Sequence, residues 1–247
     1  MTALKLSHEV LARRVYREDV NMGLAANTIM KFVVPLLDPL KVALDVGAAT
    51  GHITNIIAPH VFRVYGFEAV LPVFFQYCKM QDRWDNVVPV YGAVGSDMGT
   101  AEFFVDDKRL SNSGFQDLVD GQKTRVPMLC LDPMFDQDET IGFVKVDVEG
   151  NELDVLRGAE GILRRDRPLL MVEIYKPFCP YPLEKVFQWI MDQGYTCFWY
   201  VKSRGHMASC HTAEEAAVVC VDKHEEHDGD FLFAPTQLRL AEAWKGL

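Results

Sequence analysis

The sequence predicts an α/β fold: a mostly parallel sheet with helices on both of its faces. Three observations predict it. Short apolar runs, such as Val42 to Leu44, Ile141 to Val148 and Leu169 to Ile174, have the composition of strands buried on both sides. Amphipathic stretches of helical period separate them, the β-α-β order of a parallel sheet. Carboxylates stand at four strand ends: Asp45, Glu68, Asp147 with Glu149, and Glu173. In an open α/β sheet that edge is where ligands bind.

The elements follow in order. Residues 1–40 repeat apolar side chains at near-helical spacing (Leu4, Leu6, Val10, Leu11, Val15, then Ile29, Phe32, Val33, Leu36, Leu37) and predict an N-terminal helical segment, ended by Asp38-Pro39. The main domain is expected over 41–235. It opens with the strand and turn VALDVGAATG, Val42 to Gly51, and a helix from His52 to Ala58. A second strand, Phe62 to Phe67, ends at Glu68, and Val70 to Arg83 reads as a helix. Asn86 to Val94 is a third β run, broken by Pro89 and Gly92. Residues 95–131 read as an inserted hairpin or loop, a place where substrate contacts are often made. Ile141 to Val148 is a buried strand, Asn151 to Arg165 a helix, and Leu169 to Ile174 the next strand. Leu183 to Gln193 (helix), Tyr195 to Val201 (strand) and Phe231 to Ala234 (final strand) follow, with a closing helix in 236–247. His206 to Gly229 carries no clear period.

The bulk numbers bound the function. The chain has 247 residues, 49% of them hydrophobic, which suits one large domain. With 25 Lys and Arg against 35 Asp and Glu, the net charge is -10. This argues against a nucleic acid partner, whose phosphates need a basic surface. None of the six cysteines forms a C-x-x-C pair. The start lacks the basic and apolar regions of a signal peptide, and no apolar run is long enough to span a membrane. The expectation is a reduced, cytoplasmic protein.

The glycine turn narrows the ligand. Strand, glycine turn and helix let the backbone approach a nucleotide-like group. Glu68 lies 17 residues after Gly51 (68 − 51), where an acid can accept both hydroxyls of an adenosine ribose. The dinucleotide pattern G-x-G-x-x-G needs its middle glycine for a pyrophosphate, and Ala49 stands there. S-adenosylmethionine has no phosphate, and Asp45 suits its ammonium group. A nicotinamide dehydrogenase is therefore disfavoured.

At this point the sequence resembles a known family. Val144 to Ala159, VKVDVEGNELDVLRGA, is similar to the K-I-D-V-E-G-x-E-x-x-V-L-x-G-A block of the FkbM-type S-adenosylmethionine-dependent methyltransferases. LDVGAATGHIT resembles their D-V-G-A-N-x-G-x-x-T opening, Phe67-Glu68 their F-E-P, and Ala93 to Phe103 their A-V-G-D-x-x-G-x-x-x-F. RVPMLCLD and RPLLMVEI resemble two further blocks. Three positions depart from the pattern: Ala49 replaces Asn, Ala69 replaces Pro, and Cys130 replaces Thr.

The resemblance implies a Rossmann-like class I methyltransferase sheet of seven strands, with S-adenosylmethionine as cofactor. It implies methyl transfer, most often to a hydroxyl of a small molecule or sugar-like natural product. Carried over by position, Asp45, Gly47, Ala48, Ala49 and Gly51 hold the methionine part. Glu68 binds the ribose, Ala93 lines the adenine, and Asp147 faces the reacting methyl.

A hydroxyl nucleophile has a high pKa and gains from a base or a metal at its oxygen. Asp147 and Glu149 are the catalytic candidates, with Glu149 as base. Asp147, Glu149 and Glu173 as oxygen ligands of Mg²⁺ form the other option. Glu149 can also simply cap the following helix. Lys145 reads as an ion-pair or sheet-edge residue and Glu152 as a buttress. His224 and His227 are in H-E-E-H, not the zinc pattern H-E-x-x-H. The alternatives are methyl transfer to nitrogen or to a nucleic acid end, and a non-catalytic S-adenosylmethionine-binding protein.

Overall fold

The computed structural model describes residues 23–105, 113–114, 122–135, 137–222, 229–236, 238 and 240. Most of the expected N-terminal helix, most of the closing helix after 236, and His224 with His227 lie outside the described residues. Among the described residues, α1 (Gly23–Thr28) leads through a π-helical turn (Ile29–Val33) into a 3-10 turn (Val34–Leu36).

The centre is β1 (Val42–Val46), buried along its whole length. It pairs in parallel with β2 (Arg63–Glu68) on one side and β7 (Ile141–Val146) on the other. Outward lie β3 (Val87–Tyr91) beside β2, and β8 (Leu169–Glu173) beside β7, also parallel. The last strand, β11 (Asp230–Pro235), runs antiparallel between β8 and β9 (Tyr195–Val201), and β10 (His206–Cys210) pairs antiparallel with β9. The order is β10-β9-β11-β8-β7-β1-β2-β3. Among the described residues this sheet has eight strands, not the expected seven. The extra strand is β10, in the stretch where the sequence carries no clear period. It is an edge strand, so it lacks the two-sided apolar run that marks a central strand. Residues Ala213–Asp222 of the same stretch form a helix, α7.

Period-2 alternation sorts the sheet into two faces. Val42, Leu44, Val46, Val144, Val146, Leu170 and Val172 belong to one core, which packs with α4 (Glu152–Arg157), α5 (Glu160–Asp166), α6 (Leu183–Asp192) and α7. Ala43, Val64, Phe143, Leu169, Met171 and Leu232 belong to the other, covered by α2 (His52–Ile57) and the π-helical turn. Asp45, Glu68, Lys145, Glu173 and Asp230 have the parity of this second face. The strand pattern therefore brings them to one face at one end of the sheet.

The inserted region is a second, three-stranded sheet in the order β4-β6-β5. β5 (Gly99–Val105) and β6 (Gln122–Leu129) form its antiparallel pair, and β4 (Ala93–Val94) joins β6 in parallel. The β run from Asn86 thus splits at Gly92: β3, with Pro89, is the edge of the main sheet, and Ala93 starts the second. Val70, Val73, Ala93, Phe103 and Val126 pack it onto α3 (Leu71–Gln81).

The helix expected from Asn151 to Arg165 is two helices, broken at Gly158-Ala159. Two contacts explain the break. A Cβ on Gly158 would lie 2.1 Å from the carbonyl oxygen of Gly95, so the chain must pass close to the second sheet here. The Asp132 carboxylate then accepts from the Gly161 and Ile162 amides at 2.8 and 2.9 Å, capping α5.

Candidate active site

The strand order reverses direction between β1 and β7: one half of the sheet continues to β2 and β3, the other to β8. This is the crevice where open α/β sheets take ligands. The turn after β1 is held from both sides. The Gly47 and Ala48 amides donate to the Phe67 carbonyl at 3.0 and 2.8 Å, and the Asp147 amide donates to the Val46 carbonyl at 2.9 Å. Gly47 has φ +82, and a Cβ there would lie 1.7 Å from the Asp147 carbonyl oxygen. Glycine is required at that position both for its backbone and for the approach of β7.

Ala49 is left-handed as well, with φ +48, and its amide donates to Glu68 Oε2 at 3.0 Å. Glu68 Oε1 accepts from the Val70 amide at 2.6 Å. The carboxyl is buried, and burial pushes it up to about 7 against the pull of those amides. Glu68 thus ties the glycine turn to the start of α3.

Asp45 is 1% exposed. Its Oδ2 accepts from the Thr54 hydroxyl at 2.5 Å, and burial raises its pKa. Thr54 belongs to α2, so this bond ties α2 to β1. Ala48 and Ala93 are both buried, at 5%. Ala93, in β4 of the second sheet, packs against α3, close to the turn's partner Glu68, whose carbonyl accepts from the Gly92 amide at 3.0 Å.

The acidic edge is organised by Lys145. This lysine is 1% exposed on a central strand, so the ion-pair reading applies and the sheet-edge one does not. Its amine lies 3.0 Å from Asp147 Oδ2 and 3.7 Å from Asp230 Oδ1. Burial opposes the charge, but Asp147, Asp230 and Glu173 hold the lysine pKa above its usual value. Asp147 in turn is held low despite burial, by Lys145 and by a hydrogen bond with Glu173. Burial and the Asp147 charge push Glu173 well up.

Glu149 sits in a left-handed conformation, φ +54, followed by Gly150 at φ +104. Non-glycine residues in this region are uncommon. Glu152 holds the turn: its Oε1 accepts from the Gly150 amide at 2.9 Å and the Val148 amide at 3.3 Å. Burial, Asp147 and Glu152 push the Glu149 carboxyl up to about 9. From the second sheet, Gly114 comes so close that a Cβ on it would lie 3.3 Å from the Glu149 carbonyl oxygen. Oxygens of Asp147, Glu149 and Glu173 all lie within 4.8 Å of one another.

The structure therefore brings Asp147, Glu149 and Glu173 together, with the turn Gly47 to Gly51 beside Asp147 and Glu68 across the turn. Sequence reasoning missed Asp230. It pairs with Glu173 across antiparallel strands, so the start of β11 lies at the carboxyl end of β8. The antiparallel return of the last strand is the signal that would have found it.

Residues 45–197 match the family model of the methyltransferase FkbM domain. The chain belongs to this family. The FkbM match runs from Asp45 in β1 to Cys197 in β9, so Asp230 comes from beyond it. Among solved structures, an FkbM methyltransferase from Methylobacillus flagellatus is 15% identical with a TM-score of 0.52, over 80% of this chain and 44% of that one. The chain thus spans less than half the length of that FkbM protein, and the likeness shows the methyltransferase-like α/β fold. An rRNA methylase from Streptococcus thermophilus is 13% identical over 83% of this chain and 92% of that one, TM-score 0.44. A SAM-dependent methyltransferase from Aquifex aeolicus is 11% identical over 88% and 96%, TM-score 0.43. Among curated proteins, none matches the chain in sequence. Among the described residues, no helix is long and apolar enough to cross a membrane.

Proposed function

We propose that this FkbM-family chain transfers a methyl group from S-adenosylmethionine to a hydroxyl of a small molecule or sugar-like natural product. The observation that carries the reading is the charge of the crevice. Carboxyl groups of Asp147, Glu149, Glu173 and Asp230 meet there around the amine of Lys145, which is already paired. Buried acids so close together raise one another's pKa values, and a cation relieves that cost. A pyrophosphate would add negative charge to the same place. The site thus suits a sulfonium ligand and opposes a nicotinamide dinucleotide.

When bound, the cofactor supplies a methyl group activated on a positive sulfur. The protein's own residues do the rest. The turn Gly47 to Gly51 holds the methionine part with its backbone, and Asp45 supports that turn. Glu68 uses three of its roughly four lone-pair positions on the Ala49, Val70 and Ala69 amides, which leaves one for a ribose hydroxyl. Ala93 lines the adenine side. Asp147, kept ionised by Lys145, faces the reacting methyl. Glu149 accepts the proton of the acceptor hydroxyl. Orienting nucleophile and methyl in line accounts for most of the acceleration, on the order of 7–11 kcal/mol for well-aligned groups.

Calorimetry with S-adenosylmethionine, S-adenosylhomocysteine and NAD tests the reading. Binding of both sulfur compounds and not NAD is expected; binding of neither sinks it. A second reading has Asp147, Glu149 and Glu173 hold Mg²⁺ at the acceptor oxygen, supported by the spacing of their oxygens. Transfer that survives exhaustive chelation removes it and leaves Glu149 as the base.

A further inference from the structure

Asp45 and Gly66 are direct neighbours in the sheet, paired between β1 and β2. Gly66 has no side chain, and Tyr77 of α3 fills the gap: a Cβ on Gly66 would lie 1.8 Å from the Tyr77 hydroxyl. Tyr77 is fully buried. Its hydroxyl lies 3.1 Å from Thr54 Oγ1, and Thr54 donates to Asp45 Oδ2 at 2.5 Å. Since the Thr54 proton goes to Asp45, Tyr77 is the donor to Thr54, and the three form one directed chain. The same ring closes on the glycine turn, within 2.6 Å of where a Cβ on Gly51 would stand. One helical turn further on, buried Gln81 donates to the Thr50 carbonyl at 3.4 Å, while its own Oε1 finds no partner among the described residues.

We infer that Tyr77, acting through Thr54 and Asp45 and assisted by Gln81, is a positioning residue that sets the glycine turn for the amino acid tail of the methyl donor. The inference rests on the proposed binding of S-adenosylmethionine at this turn. Tyr77 reaches β2, α2 and the glycine turn at once, and its hydroxyl joins it through Thr54 to Asp45 of β1. A core aromatic of merely apolar function would leave that hydroxyl unused or be phenylalanine.

The experiment compares Tyr77→Phe, Thr54→Val and Thr54→Ser by calorimetry against S-adenosylhomocysteine and against 5′-methylthioadenosine, which lacks the amino acid tail. Failure of the unmutated protein to bind S-adenosylhomocysteine would overturn the donor-binding reading itself. Given that binding, Tyr77→Phe and Thr54→Val each weaken S-adenosylhomocysteine by about tenfold, the scale of one lost buried hydrogen bond. The double variant is no weaker than the singles, Thr54→Ser restores the affinity, and methylthioadenosine binding stays unchanged. Unchanged S-adenosylhomocysteine affinity in Tyr77→Phe, or equal weakening of both ligands, overturns the inference. Should Tyr77→Phe fail to fold, the Thr54 pair decides it on the same criteria.

Discussion

The carbonyl oxygen of Asp147 occupies the space in which a side chain of Gly47 would stand, 1.7 Å from the position of its Cβ. The turn after β1 and the turn after β7 are therefore packed as one unit, with β1 and β7 bringing them together. Gly47→Ala has to move one turn off the other and to adopt φ +82 with a Cβ present. The expected cost is about 2 kcal/mol or more of stability, with loss of S-adenosylhomocysteine binding in whatever remains folded. Urea denaturation and calorimetry on the same preparation check both.

Ala49 behaves in the opposite sense. It holds φ +48 while its amide donates to Glu68, so the strained backbone is kept without any help from its side chain. Asparagine tolerates this region far better than alanine. The Asn of the family pattern is thus explained by backbone geometry, and its replacement here costs stability without removing the bond to Glu68. Ala49→Asn is expected to stabilise the protein by about 0.5–1 kcal/mol, read as a higher midpoint of thermal unfolding.

Lys145 shows how strongly the acidic edge depends on one cation. It is 1% exposed and lies 3.0 Å from Asp147. Lys145→Met leaves Asp147, Glu173 and Asp230 without compensation, and breaking a buried pair in this way costs about 3–5 kcal/mol. The loss is largest from neutral pH up to the ordinary lysine value of 10.5 and shrinks as the medium is acidified, because protonating the carboxyls removes the repulsion. Denaturation midpoints of the two proteins that stay equally far apart at acidic and alkaline pH would contradict the assigned role.

Stability itself has a pH slope of known sign. Burial pushes Glu68 and Glu152 up from 4.5 to about 7. Between those values the folded protein binds more protons than the unfolded chain, so protonation favours folding. The contribution is complete below 4.5 and is lost as pH rises through about 7. Thermal scans across this range should show the midpoint falling with pH. Glu152→Gln keeps an oxygen for the Val148 and Gly150 amides and should flatten the slope.

Much of this was legible because it rests on strand parity and turn chemistry. VALDVGAATG announces a buried strand and a close backbone turn, and DVEGNE places acids at the next strand end along the crevice; both readings need only local sequence. Asp230 was illegible because its place depends on β11 running antiparallel beside β8, a long-range pairing. Tyr77 reads as one more aromatic on an apolar helix face, since the glycine that makes room for it is on another strand. The Thr54 bond to Asp45 was hidden in the same way, since it joins the first strand to the helix after the turn. The break at Gly158 was hidden for a similar reason, since it answers to Gly95 in the second sheet.

Glu149 offers the sharpest test of the chemistry. Its left-handed backbone is held by Glu152, and burial with Asp147 and Glu152 raises its carboxyl to about 9. A carboxyl this basic takes a proton from a hydroxyl more readily than an ordinary one, but at neutral pH only a small fraction of it is ionised in the ligand-free protein. Methyl transfer to an accepted hydroxyl compound should therefore climb with pH towards about 9, and a bound sulfonium, by favouring the carboxylate, should move that limb to lower pH. Glu149→Gln preserves shape and removes the base. S-adenosylhomocysteine affinity should hold within about twofold, because the turn and Glu68 are untouched, while transfer falls by about 10²–10⁴ and loses the limb. Radiolabelled methyl transfer measured across pH separates this from a capping role for Glu149. A cap would leave the limb in place and change only the unfolding midpoint.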